Sequence, residues 1–463
     1  MSVLDAARRL PERQGWVGET DRTEKSRPWL VRFALVHLAC QLLLLVPELS
    51  SVRVVLRMAA FGVSLAFVVL IPSERAWRTP LRACALCILT LLALEFFHPE
   101  GSGLLAALAA IMLNLAVLAP IFWVPRTGTT TINLQSLVTI LWIFYTISAV
   151  LGVLQAYFPG HFQPPLSAVL AANSRERLAG LEIELASGAR VFRPMGLTDT
   201  PGGAAFAGLY AVLLGTGMLL SAKPPFRGSR LLAVGSMVAG LMCLYLCQVR
   251  SLLVMAGVCV VALLILLLVT GQISKLVGLL SATGVIVPGA FALALALGGK
   301  AMTERLTTLV EADPGTVYYA NRGHFLETTI NQYLPQYPLG AGLGRWGMVH
   351  AYFGNAADSL WVEIQWTAWL FDGGVAMILL YMAALMVASW GCLRVALGQA
   401  GGGEASLRLW AAVIVAYNVG AVAICFNFAL FGSTGGVEFW LLNMAVLCAA
   451  HDAERGALRS KLA

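Results

Sequence analysis

Charge is what this chain lacks most. Only 12% of its 463 residues are Asp, Glu, Lys or Arg, about half the share of an ordinary soluble domain, while 59% are hydrophobic and the mean hydropathy is +0.79. That balance excludes a soluble globular fold. Histidine is scarce, with six in all, so no His-rich metal cluster is available. Nine cysteines are present, but they lie in or beside apolar runs, and Cys84 and Cys87 form a lone C-x-x-C without the second pair or the histidines that a zinc site needs. The first 28 residues lack the apolar core of a cleavable signal. The net charge of +7 is spread over short segments between apolar runs, so it orients the protein in a membrane and implies no nucleic-acid partner.

What the chain has is apolar runs of bilayer length. About 20 such residues cross a membrane, and windows of that size fall near 29–47, 53–72, 80–97, 103–124, 133–157, 203–221, 230–248, 252–270, 275–298, 359–392, 407–430 and 436–450. The expected fold is therefore an all-α polytopic membrane protein of about 12 transmembrane helices. Its organisation reads as an N-terminal tail (1–28), an N-terminal bundle (29–157), a first long loop (158–202), central helices (203–298), a second long loop (299–358), C-terminal helices (359–450) and a tail (451–463). Lysine and arginine fall in alternate short connections when the N-terminus is cytoplasmic: Arg8 to Arg27, Arg75 to Arg82, Arg126, Lys223 to Arg230, Lys275, Arg394 with Arg408, and Arg455 to Lys461. The positive-inside rule then puts both ends in the cytoplasm and both long loops on the other face.

Loops of that length are uncommon without a function. In the first, Leu181 to Leu185 alternates with period two and a turn-like Ala186-Ser187-Gly188 precedes Arg190 to Arg193, the pattern of a small hairpin. In the second, 301–310 and 317–333 have helical periodicity and suggest short surface helices, followed by the glycine-rich bend Pro338 to Gly344.

The chemistry gathers on this face. Arg193 precedes Pro194-Met195-Gly196, Arg250 stands in Gln248-Val249-Arg250-Ser251 between two apolar runs, and Arg322 lies in Asn321-Arg322-Gly323-His324. A guanidinium offers forked donors that match phosphate oxygens and keeps its charge, so a cluster of three suits a diphosphate. Asp358, just before the run at 359, reads either as the helix N-cap or as a general base. His324 and His350 are alternative proton carriers. Glu182 and Glu184 would share one strand face, but no D-x-D accompanies them and Arg190 could neutralise them, so metal binding has weak support.

Taken together, Arg193-Pro194-Met195-Gly196 before a span, Gln248 to Leu252 at an outer junction, and Asn321-Arg322 followed by Tyr337 to Gly344 resemble the O-antigen ligase and Wzy-type polysaccharide polymerase superfamily of bacterial inner membranes. The resemblance covers roughly residues 190 to 392. It implies a GT-C-like fold and a metal-independent, inverting glycosyltransferase without a cofactor, acting at the periplasmic face on an undecaprenyl-diphosphate-linked oligosaccharide. Chain-length regulators or export machinery are the protein partners it implies. Arg250 and Arg322, with Arg193 in support, would hold the diphosphate. Where the ligases have a His-Asn pair at the start of the helix after the long loop, this chain has Asp358-Ser359. That departure favours polymerase over ligase and makes Asp358 the expected base. A secondary transporter remains a reading from another class, because twelve spans suit it equally.

Overall fold

The computed structural model of the chain describes residues 29–72, 79–158, 162, 182–184, 190–198, 200, 202–222, 225–247, 249–310, 315, 319, 323–354 and 359–462. Apart from one hairpin, the described elements are helical. In chain order they are α1 (Trp29–Leu43), α2 (Arg53–Leu70), α3 (Pro80–Glu95), α4 (Leu104–Leu118), α5 (Pro120–Trp123), α6 (Thr131–Tyr157), β1 (Glu182–Glu184), β2 (Arg190–Phe192), α7 (Ala204–Leu220), α8 (Ser229–Cys247), α9 (Arg250–Val269), α10 (Ile273–Val310), α11 (His324–Thr328), α12 (Leu334–Gln336), α13 (Gly347–Phe353), α14 (Gln365–Ala396), α15 (Ala405–Ile424) and α16 (Thr434–Leu462).

Each of the twelve apolar windows contains a helix. Among the described residues seven helices are long and apolar enough to cross a membrane, and an eighth span arises if α4 and the segment from Pro120, bent by 46° at Ala119, are counted as one. The protein is thus a polytopic membrane protein. The bend follows from Pro120, which removes an amide donor and stands at the first position of the new helix.

The first-loop hairpin forms as the alternation implied: β1 and β2 are antiparallel, with Glu184 opposite Arg190 and Glu182 opposite Phe192. Two boundaries differ from the sequence reading. The stretch 301–310 is no separate surface helix, because α10 runs without interruption to Val310. The helix expected from 359 begins instead at Gln365, with Ile364 as its N-cap residue.

Small residues set the closest packing, as expected where lipid removes the hydrophobic drive between helices. A Cβ on Gly208 of α7 would meet the Gly240 carbonyl of α8 at 2.7 Å, and one on Gly240 would meet the Gly208 carbonyl at the same distance. The centre of the bundle carries a buried polar network. The Tyr145 hydroxyl donates to Glu438, whose carboxylate lies 3.7 Å from His37 Nε2. Tyr145 stacks on Tyr210 at 4.5 Å, and the Tyr210 and Tyr417 hydroxyls are 2.8 Å apart. Asn418 and Asn443 exchange two amide bonds of 2.7 and 2.9 Å. All nine cysteines are free.

Candidate functional site

One end of the bundle is built around the segment from Arg193 to Gly203, where α6 finishes and α7 begins. Gln155, fully buried near the end of α6, holds this segment by its backbone. Its Oε1 accepts the Met195 and Gly196 amides at 3.0 and 2.8 Å, and its Nε2 donates to the Gly196 and Phe162 carbonyls. Ser148, two turns earlier, accepts the Leu197 amide at 3.0 Å. Gly196 is needed here, because a Cβ would lie 2.6 Å from the Ser148 hydroxyl.

Fixing the segment fixes Arg193. A Cβ on Gly202 would meet Arg193 Nη2 at 3.2 Å, Arg193 Nε at 3.4 Å and Val249 Cγ2 at 3.3 Å. The guanidinium and Val249, the residue that precedes Arg250, therefore flank the same glycine, and the guanidinium also interacts with Cys247 at the end of α8. Burial lowers the Arg193 pKa from its ordinary value, with Cys247 opposing, but an arginine stays charged at neutral pH even so. Its buried Nε has no acceptor among the described residues.

Arg250 is the first residue of α9, a 20-residue helix whose N-cap, Val249, supplies no side-chain cap. The first amides of such a helix point outward at the positive end of its dipole. An arginine at that end, with a second guanidinium beside the preceding residue, is an arrangement that accepts an anion with several oxygens.

The other expected residues fare differently. Arg322 and Asp358 lie outside the described residues. The N-cap position of α14 is taken by Ile364, six residues beyond Asp358, and it carries no side-chain cap. His324 is exposed and packs on Phe325 with ring centroids 3.9 Å apart. His350 is buried, and its Nδ1 lies 3.1 Å from the Gly344 carbonyl and 3.4 Å from the Ser102 hydroxyl, leaving Nε2 as its other polar atom.

Sequence reasoning passed over Gln155, Arg57, Arg345 and Trp346. Arg57 donates to the Tyr352 hydroxyl at 3.2 Å, which fastens α2 to α13. Arg345 is ion-paired to Glu100 at 3.0 Å, and the Trp346 indole N–H donates to Asp372 at 2.7 Å. Gln155 gave a usable signal, as an amide standing alone in an otherwise apolar turn. Arg345 and Trp346 looked like ordinary loop residues, and Arg57 like a charge near the start of an apolar run. Among the described residues no group of three or more His, Cys, Asp or Glu could hold a metal ion. No protein-family model matches the chain, and no curated protein is significantly similar to it.

Proposed function

We propose that the protein is a polysaccharide polymerase of the O-antigen or exopolysaccharide kind, which moves a glycan from undecaprenyl diphosphate to a sugar hydroxyl of another lipid-linked repeat unit at the periplasmic face of the inner membrane. The observation that carries this reading is that the Arg193 guanidinium and Val249, the N-cap residue of α9 next to Arg250, pack on the same glycine, Gly202. In the reaction the bond from the anomeric carbon to the phosphate oxygen breaks. A bond from that carbon to the acceptor oxygen forms on the opposite side, which inverts the linkage. The diphosphate leaves with the electron pair, and positive charge already in place at Arg193 and Arg250, joined by Arg322, stabilises it as it departs. The acceptor hydroxyl gives its proton to Asp358, with His324 and His350 as the alternative carriers. Gln155 is a positioning residue that acts through Arg193.

The test uses purified full-length protein in detergent with a lipid-diphosphate-linked repeat unit as the sole substrate. A ladder of longer glycans is expected, and it disappears in Arg193→Ala and Arg250→Ala proteins that accumulate normally. Ladders unaffected by both substitutions overturn the reading. Product that forms only when lipid A core or an acceptor protein is added identifies a ligase instead. Arg250-dependent uptake of a solute into proteoliposomes without glycan transfer identifies a transporter.

A further inference from the structure

A second constellation, on different elements, involves none of these arginines. Helix α14 is broken inside its span: Gly373 has φ 175° and ψ 29°, and Gly374 has φ 64° and ψ −155°. Asp372 is therefore the last residue of a half-helix that begins at Gln365. The backbone groups freed at the break are taken by the glycine-rich bend, the Ala341 amide donating to the Phe371 carbonyl at 2.9 Å and the Val375 amide to the Pro338 carbonyl at 3.0 Å. Against this break lies Glu95, the last residue of α3. A Cβ on Gly340 would sit 2.8 Å from Glu95 Oε2 and 3.3 Å from Gly373 Cα.

Both carboxylates stand where a negative charge is least welcome. Each is at a helix C-terminus, whose dipole favours cations, and each is buried, at 8% exposure for Glu95 and 5% for Asp372. Glu95 Oε2 and the backbone of Gly373, the residue after Asp372, both lie against Gly340. Asp372 accepts from the Trp346 indole N–H and from Asn114 of α4, whereas Glu95 Oε2 has no donor among the described residues. Tyr381, two turns further along α14, bonds Asn114 at 3.3 Å. Among the described residues neither carboxylate is paired with a basic side chain. The Arg345 guanidinium on the bend is bound to Glu100, and His350 is turned toward Gly344 and Ser102. A small cleft of about 30 Å³, room for one water-sized body, is lined by Asn114, Gly344, Trp346, Gly347 and Asp372 itself.

We propose that Glu95 and Asp372 form a cation site at the broken helix, which holds one monovalent cation: a proton shared between the two carboxylates, or a metal ion of the sodium class entering through the cleft. Two adjacent ionised carboxylates out of water and without a counter-charge are strongly disfavoured, and a single positive charge between them turns repulsion into attraction. Half-helix C-termini beside unwound backbone hold such ions in other membrane proteins. The site is independent of the glycosyl-transfer reading, and its test uses no glycan.

The experiment follows thermal unfolding of the purified full-length protein in detergent at constant ionic strength. Sodium chloride replaces choline chloride, and the series is run at pH 6 and at pH 9, with Glu95→Gln and Asp372→Asn proteins alongside. A bound metal ion raises the wild-type transition by several degrees in sodium at pH 9, and the rise is absent in Glu95→Gln. A shared proton gives no sodium effect. The wild type then loses stability from pH 6 to pH 9 as the pair becomes doubly charged, and Glu95→Gln removes that loss. Either result supports the site, and equilibrium binding of radioactive sodium to the wild type separates the two cations if a variant fails to fold. A wild type indifferent to sodium and to pH, or a response that persists unchanged in both variants, overturns it.

Discussion

Replacing Gly374 with alanine tests how tightly the bend is seated in the broken helix. At φ 64° and ψ −155° the backbone occupies a region that only glycine enters freely, so the added Cβ costs about 1–3 kcal/mol in strain alone. Space makes it worse: the Cβ would stand 2.2 Å from the Pro338 carbonyl oxygen and 2.6 Å from Leu339 Cα. Both contacts are backbone and cannot turn aside. Relief requires the bend to lift, which sacrifices the hydrogen bond from the Val375 amide to Pro338, a net loss of about 1 kcal/mol. The sum is about 2–4 kcal/mol. Gly271 is the matched control. It also has a positive φ, 68°, but nothing lies within 4 Å of its hypothetical Cβ, so Gly271→Ala costs only the left-handed conformation, about 1–2 kcal/mol. Unfolding of the two purified variants in mixed micelles with increasing SDS measures the difference, and limited proteolysis reports whether Pro338 to Gly344 becomes cleavable. Equal losses of stability, with the bend still protected, would refute the seating described here.

Other expectations concern the arginine site and the bundle centre. Arg250→Ala should lower the turnover of glycan transfer by about 10²–10³-fold, and Arg193→Lys should fall between wild type and Arg193→Ala, because a lysine keeps the charge without the fork; steady-state kinetics on lipid-linked substrate checks both. Gln155→Ala strips the acceptor from the Met195 and Gly196 amides, at about 1–3 kcal/mol for each buried amide left unsatisfied, and should reduce turnover without weakening acceptor binding, read as kcat against KM. Tyr417→Phe removes the partner of the Tyr210 hydroxyl and should cost about 1–3 kcal/mol, measured by thermal unfolding. Asn443→Leu should be at least as damaging, because it orphans both polar atoms of the Asn418 amide.

The positions of the helices were legible because burial in lipid demands uninterrupted apolar length, and that demand is written residue by residue. Breaks were harder to see. Gly373 and Gly374 sit within an apolar run whose average conceals them, and their role depends on a bend some 30 residues earlier in the chain that completes the backbone bonding. The end of α10 was misplaced for the opposite reason: past residue 298 the sequence turns polar while helical bonding continues to Val310. Arg193 and Arg250 stood out as charges beside spans, but their approach depends on Gly202 and on the hold of Gln155, neither of which advertises itself by charge. Asp372 is visible in the sequence as a charged residue inside an apolar run. Its nearness to Glu95 follows only from the packing of α14 on α3.

The hydrogen-bonded centre has a consequence for how the protein is made. His37 belongs to the first described helix and Glu438 to the last, so 438 of the 463 residues have been synthesised before the two can meet. Until then His37, Gln41 and Tyr145 must wait in the bilayer or at the translocon without their final companion, a state that membrane proteases recognise. A chain that stops short of α16 would therefore be a substrate for degradation rather than a smaller working bundle.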